Sequence, residues 1–204
     1  MFKKIAADAL GLSDIGSVIS PADYDKVDAD DYIMHEDEEK IYFLIKSKTD
    51  EYCFTNQAFI HLDGTSAISK KRTLTRYSYS QYNISNVTLE TAGTVDLDVE
   101  IKFSIGAKSF SIDVHKKFIE ELKDLFKTLV KISEICHENE FALQYAQQSV
   151  NLASSTLNQV RTEGSQMAAS FKDINSAAFE WLMDSRKKYH VKDFGYVFEK
   201  YINN

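Results

Sequence analysis

The apolar pattern of this chain changes period once, near residue 115, and that change limits the folds open to it. In TVDLDVEIKFSIGAKSFSIDV, Val95, Leu97, Val99, Ile101, Phe103 and Ile105 alternate with Asp96, Asp98, Glu100, Lys102 and Ser104. This is the half-buried alternation of an antiparallel strand. Gly106 and Ala107 fit a two-residue hairpin with glycine first, and Phe110, Ile112 and Val114 resume the inward face. Upstream, IYFLIKSK, EYCFTN, AFIHLDG, KKRTLTRYSY and ISNVTLETAG read as further short strands between Asp, Asn and Gly turns, making seven in all. From Lys116 the period is helical. HKKFIEELKDLFKTLVKI presents Phe118, Ile119, Leu122, Leu125, Phe126 and Leu129 on one broad face, with no proline or glycine to stop it.

Seven antiparallel strands must curl into a sheet or open barrel whose apolar face is covered, and the helix that follows is at hand to cover it. This α+β arrangement is that of the pleckstrin-homology fold. The run FTNQAFIHLDG, then KKRTLTRYSYSQY, then TLETAGTVDLDVEIKF, resembles the bacterial pleckstrin-homology domains. The matching residues are Phe54, Thr55 and Asn56, then Tyr77 through Tyr82, then Ala92, Gly93, Asp96, Asp98 and Glu100. Several motifs agree in order and spacing over residues 1–130, which we assign to this domain, with an N-terminal helix over about residues 1–18. On that helix Phe2, Ile5, Ala6, Ala9 and Leu10 form one stripe, expected to dock on the protein body rather than on a bilayer.

Residues 131–204 read as a helical hairpin extension. The heptad seam continues through Ile132, Cys136, Asn139, Leu143, Ala146, Val150, Ala153 and Leu157. After Gly164 a second pattern runs through Met167, Phe171, Ile174, Ala178 and Trp181, and DFGYVFEKYINN adds a last short segment. Long amphipathic helices need a partner, here a second helix of the same chain or a copy of itself. The tail resembles the YvbH-like oligomerisation region that accompanies some bacterial pleckstrin-homology domains. That resemblance implies a homo-oligomer, and such domains are associated with ring-like assemblies.

The charge of -7 and pI near 5.3 argue against a nucleic-acid binder. One basic stretch stands out, SKKRTLTRYSYSQY, in which Lys70, Lys71, Arg72 and Arg76 are candidate anion-binding residues. On a strand Lys70, Arg72 and Arg76 share one face and Lys71 the other, so the cluster splits; cross-strand partners for the arginines are expected in the acidic ladder Asp96, Asp98 and Glu100. The first hairpin, KSKTDEY, sets Lys46 and Lys48 against Asp50 and Glu51 and lacks the arginines of phosphoinositide-binding relatives in fold.

Catalytic and metal patterns are weak. The ladder carboxylates stand roughly 7 Å apart on a strand, too far to share a small cation unaided. In EICHENE, His137 shares a helical face with Glu134 and Glu140, but no second histidine lies at a helical interval; its neighbour Cys136 points elsewhere. G-x-S-x-G, HExxH and P-loop patterns do not occur, and no motif calls for a cofactor. The acidic run Ala22 to Lys40 reads as a solvated linker. Cys53 and Cys136 lie far apart without a CxxC motif, as in a reducing cytoplasm, and no apolar run approaches a membrane span. The expectation is a noncatalytic scaffold that self-assembles and offers a pleckstrin-homology-like surface to an unidentified protein partner. The alternative is peripheral recruitment to an anionic lipid or other anionic ligand through the basic residues of the sheet.

Overall fold

A computed structural model of the chain describes residues 14–64, 72–91, 93, 98–157 and 164–202. They fall into two compact units, one made by the chain up to Glu134 and again from Lys192, the other by Ile135–Val191.

In the first unit the strands are β1 (Ser17–Val18), β2 (Ile41–Lys46), β3 (Glu51–Thr55), β4 (Ala58–Gly64), β5 (Arg72–Ser78), β6 (Ile84–Glu90), β7 (Asp98–Ile105) and β8 (Lys108–His115). They form a five-stranded antiparallel sheet in the order β1-β2-β3-β4-β5 and a three-stranded one in the order β6-β7-β8. The seven expected strands are present. The short β1 is an eighth, and it corrects the N-terminal reading: Ser17 and Val18 pair with Lys46 and Ile45 of β2, so a helix does not reach residue 18. Residues 1–13, with the stripe from Phe2 to Leu10, lie outside the described residues, as do Val95, Asp96 and Leu97.

Gly16 joins the two sheets. Its N–H donates to the Asp113 carbonyl at 2.8 Å and its carbonyl accepts from the His115 N–H at 3.0 Å. A Cβ there would stand 2.7 Å from Ile45 Cγ2, so this approach of β2 and β8 needs a residue without a side chain. Among the described residues β5 and β6 keep one unpaired edge each, and no closed barrel forms.

The alternation in β7 does what its pattern requires. Val99, Ile101, Phe103 and Ile105 are buried, and Ile105 pairs with Lys108 across the Gly106–Ala107 turn. Phe103 meets Phe54 and Phe59 of the larger sheet in a ring cluster, with Phe54 and Phe59 centroids 4.8 Å apart and Phe59 edge-on to Phe103 at 5.2 Å. Helix α1 (Ile119–Leu157) supplies Leu122, Leu125, Leu129 and Ile132, all fully buried, and its Ser133 hydroxyl donates to the Ile84 carbonyl at 2.6 Å. Each such side chain contributes on the order of 2 kcal/mol on burial.

The other face of the larger sheet is covered as well, by a segment expected to be a linker. Pro21–Lys26, Asp28–Tyr32 and His35–Asp37 form three 3-10 turns. Val27, Ala29 and Ile33 from these turns pack with Leu44, Cys53, Ala58, Ile60 and Leu62. Cover on both faces explains why β2 and β4 read as nearly continuous apolar runs rather than alternating ones.

The last segment packs with the first unit. The Phe194 N–H donates to the Asn56 carbonyl at 2.7 Å, and helix α3 (Gly195–Tyr201) buries Val197 and Phe198. Phe194 is edge-on to Tyr79 at 5.8 Å, and Phe198 stacks on Tyr42 at 5.1 Å. An aromatic pocket at the FTN turn and the β5 end therefore captures it.

The second unit holds α1 beyond Ile135 and helix α2 (Gly164–Tyr189), whose first residue is the glycine expected to turn the chain.

Candidate interaction surfaces

The two arginines of the basic stretch are engaged by carboxylates of the segment that covers the larger sheet. Arg72 Nη2 lies 3.2 Å from Asp28 Oδ2, and Arg76 Nη1 lies 2.9 Å from Glu39 Oε1. Their partners are therefore in the Ala22–Lys40 segment and not in the ladder of Asp98 and Glu100, which corrects that pairing. Lys70 and Lys71 lie outside the described residues.

Two buried glutamates do the anchoring. Glu39 accepts from Thr55 Oγ1 at 2.5 Å and from the Met34 N–H at 2.9 Å as well as from Arg76. Glu51 accepts from the Ala29 N–H at 2.8 Å and pairs with Lys46 Nζ at 2.5 Å. Each carboxylate is thus satisfied by a backbone donor and a cation, which permits a buried charge. Sequence reading set Glu51 against Lys46 but missed its burial, and it missed Glu39 altogether. The available signal was Glu51 standing at an inward position of an otherwise apolar strand.

On the smaller sheet, Lys102 Nζ lies 2.9 Å from both Glu90 and Glu100, and the Ser111 hydroxyl donates to Glu100. These groups hold the Glu100 carboxyl below its usual range: the Ser111 and Lys102 hydrogen bonds outweigh desolvation. Asp113 moves the other way, raised by burial and then by the Glu100 and Asp98 charges. Among the described residues no group of three or more His, Cys, Asp or Glu side chains is placed to hold a metal ion. His137 lies edge-on to Phe141 with centroids 4.7 Å apart, and burial pushes the Cys136 thiol up to about 11.

Where the last segment docks, an open cleft of about 520 Å³ is lined by Lys40, Tyr42, Asn56, Asp193, Tyr196 and Glu199 among others. Its polar groups satisfy one another. Asn56 Nδ2 donates to Asp193 Oδ2 at 2.7 Å, the Gly195 N–H donates to Asp193 Oδ1 at 2.7 Å, and the Tyr42 hydroxyl donates to Glu199 at 3.0 Å. Burial, with Glu199 and Asp193 beside it, pushes the Tyr42 phenol up to about 12. The arrangement is a clasp holding Asp193 and Glu199 in place.

The seam residues separate. Ile132 is fully buried, Cys136, Asn139, Leu143 and Val150 are half-buried, and Leu157 ends α1. On α2, by contrast, Phe171, Ile174 and Trp181 are exposed by 71%, 39% and 55%. The covered stripe of α2 shares Ala178 with the expected row and runs on through Leu182, Ser185 and Tyr189. A row on α1 outside the expected seam, Phe141, Tyr145 and Leu152, is also exposed.

The family profile described as Bacterial PH domain matches residues 9–133, and that described as YvbH-like oligomerisation region matches 144–204. The chain is 62% identical over 204 residues, the whole of both chains, to the uncharacterized protein YvbH of Bacillus subtilis (strain 168). It is similar to the crystal structure of a PH domain containing bacterial protein from Exiguobacterium sibiricum 255-15, with a TM-score of 0.85 and 53% identity, covering 93% of this chain and 100% of that one. The strand order, the helix that closes the core and these matches together place the chain in the bacterial PH domain family, with a YvbH-like oligomerisation region following the domain.

Proposed function

We propose that the chain is a noncatalytic interaction module that self-associates through its second unit and so presents several copies of the PH-like unit to a protein partner. One observation carries this reading: large apolar side chains stand exposed along both helices of that unit, among them Tyr145 at 64%, Leu152 at 70%, Phe171 at 71% and Phe179 at 63%. An isolated unit with such a surface gains by covering it. The match of residues 144–204 to an oligomerisation region supports the same reading. Linked copies would bind a multivalent partner more tightly than one copy does, without any new contact.

The pairing of Arg76 with the buried Glu39 takes one of the two arginines away from an anionic lipid and favours a protein partner. Cys53 and Cys136, both thiols rather than halves of a disulfide, suit a reducing cytoplasm. No helix among the described residues is long and apolar enough to cross a membrane.

Light scattering on the full chain, across a hundredfold range of concentration, tests the self-association. The expected mass is a fixed multiple of the 23.3 kDa chain; a monomer throughout overturns it.

A further inference from the structure

Helix α3 and the pocket that holds it come from separate parts of the chain. Tyr42, Asn56 and Tyr79 lie within the residues matched as Bacterial PH domain, whereas α3 lies within those matched as YvbH-like oligomerisation region. The helix nonetheless packs with the first unit. It has the form of a docked ligand. Its seven residues fall well short of the roughly 12 that a helix needs to hold alone in water, so the pocket supplies its order. Phe194, Val197 and Phe198 stand at i, i+3 and i+4, the spacing by which a helix lays one face into a groove, and all three are buried.

The pocket reads more than apolar bulk. Asn56 is only 3% exposed. Its amide donates to the Glu38 carbonyl at 3.3 Å and to Asp193 at 2.7 Å, while its own backbone carbonyl takes the Phe194 N–H. A segment without that acid would leave a buried donor unpaired, a loss that selects against it. The Tyr42 hydroxyl reads a second acid, Glu199, and its ring stacks on Phe198. A Cβ at Gly195 would stand 2.9 Å from the Tyr42 hydroxyl, so this position calls for glycine. The chemistry of a fitting partner follows from the present occupant. We infer that the pocket is the docking site of the PH-like unit for a short helical segment of another protein, of the form Asp-Phe-Gly-x-Val-Phe-Glu, and that residues 193–199 fill it as a competitor in cis. This rests on the reading of the chain as a module with a protein partner, and it assigns that partner a face. Held by its own chain, the resident segment competes at an effective concentration on the order of millimolar, so only a well-matched partner displaces it.

Anisotropy of a fluorescein-labelled peptide of residues 191–202, titrated with full-length chains at pH 7.5, tests this. Phe198→Ala loosens the resident segment, and this chain is expected to bind the peptide at least tenfold more tightly than wild type does. Asn56→Asp also loosens it but repels the acid. That chain is expected to prefer, at least tenfold, a peptide carrying Asp193→Asn, whose amide restores the hydrogen bond. Failure of both variants to bind either peptide overturns the docking site. Wild type binding as tightly as Phe198→Ala overturns the competition in cis. Equal affinity of Asn56→Asp for the two peptides overturns the assigned specificity, because Asn56 then reads no acid. The mass of wild type from light scattering is unaffected by any of these results, so loss of the docking site and loss of the self-associating module are told apart.

Discussion

Arg76 reaches from the edge strand β5 to Glu39 at 2.9 Å, tying the strand to the segment that covers the larger sheet. The Glu39 side chain is fully buried, and its remaining lone pairs are taken by Thr55 and Met34. Loss of the arginine would strand a charge that water cannot reach. Arg76→Ala is therefore expected to lower stability by about 3 kcal/mol, the low end for a broken buried pair because Arg76 is partly exposed. The double variant Arg76→Met, Glu39→Gln removes both charges and is expected to recover part of this. Urea unfolding of the three chains decides it, and an Arg76→Ala variant as stable as wild type would show that the pair holds nothing.

Gly106 turns the β7–β8 hairpin at φ +57°, in the left-handed region, and a Cβ there would stand 2.8 Å from Tyr82 Cδ1. Both the backbone and the ring oppose a side chain. Gly106→Ala is expected to cost about 1 kcal/mol from the conformation alone, and more if the Tyr82 ring cannot shift. Thermal melting of the variant, with Ala107→Gly as the control, measures this.

Asp50 and Asp113 should give acid responses of opposite sign. Burial raises the Asp50 carboxyl, but hydrogen bonds to His61 and Thr49 and the His61 and Arg72 charges outweigh it, so its folded value is lowered. Its contribution is complete above the unfolded value near 3.8 and is lost as pH falls below that. Asp113, raised by burial and by Glu100 and Asp98, binds its proton more readily when folded. It opposes folding above its folded value and ceases to do so as pH falls through that value to the unfolded one. Asp113→Asn is thus expected to stabilise the protein at pH 7, by about a few tenths of a kcal/mol given the exposure of the site, with the gain vanishing near pH 3. Asp50→Asn is expected to destabilise at pH 7 and to flatten the decline below pH 4. Urea midpoints from pH 3 to 7 check both, and parallel profiles would refute the assignment.

The fold was legible where burial is one-sided. Val99, Ile101, Phe103 and Ile105 alternate with polar residues because one face of β7 meets the core, so period 2 names both strand and face. The cover from Ala22 to Lys40 was not legible, because its burial rests on small Ala29 and on carboxylates that serve backbone N–H groups. Composition reads those acids as solvated, whereas Glu39 and Glu51 are among the least exposed residues of the unit. The destination of Phe194, Val197 and Phe198 was hidden for another reason: an apolar triplet looks the same whether it packs on helices or on the FTN turn. On α2 the expected row held Ala178, which is half-buried, beside Phe171, Ile174 and Trp181, which stand exposed within one chain, while the covered side continues through Leu182 and Ser185. Small side chains permit close helix approach and leave the bulky ones outside.

Asn56 is the point at which the returning segment is held. Its carbonyl accepts from the Phe194 N–H, its Oδ1 accepts from the Lys40 N–H at 2.8 Å, and its Nδ2 donates to Asp193. Asn56→Asp keeps the volume but replaces that donor with a charge 2.7 Å from the Asp193 position, turning an attraction into a repulsion. Phe198→Ala leaves the clasp intact and removes the ring stacked on Tyr42, at a cost of about 3 kcal/mol for a fully buried phenylalanine. Both variants are expected to expose the chain around Tyr196 and Tyr201 to chymotrypsin, which should spare it in the wild type as long as the segment is docked. They should differ in acid. There, protonation of the introduced carboxyl relieves the repulsion and restores resistance in Asn56→Asp, while Phe198→Ala stays sensitive. Pepsin digestion at pH 3 beside chymotrypsin digestion at pH 7.5 reads that difference, and equal sensitivity of the two variants at both values would mean that the Asn56–Asp193 contact does not hold the segment.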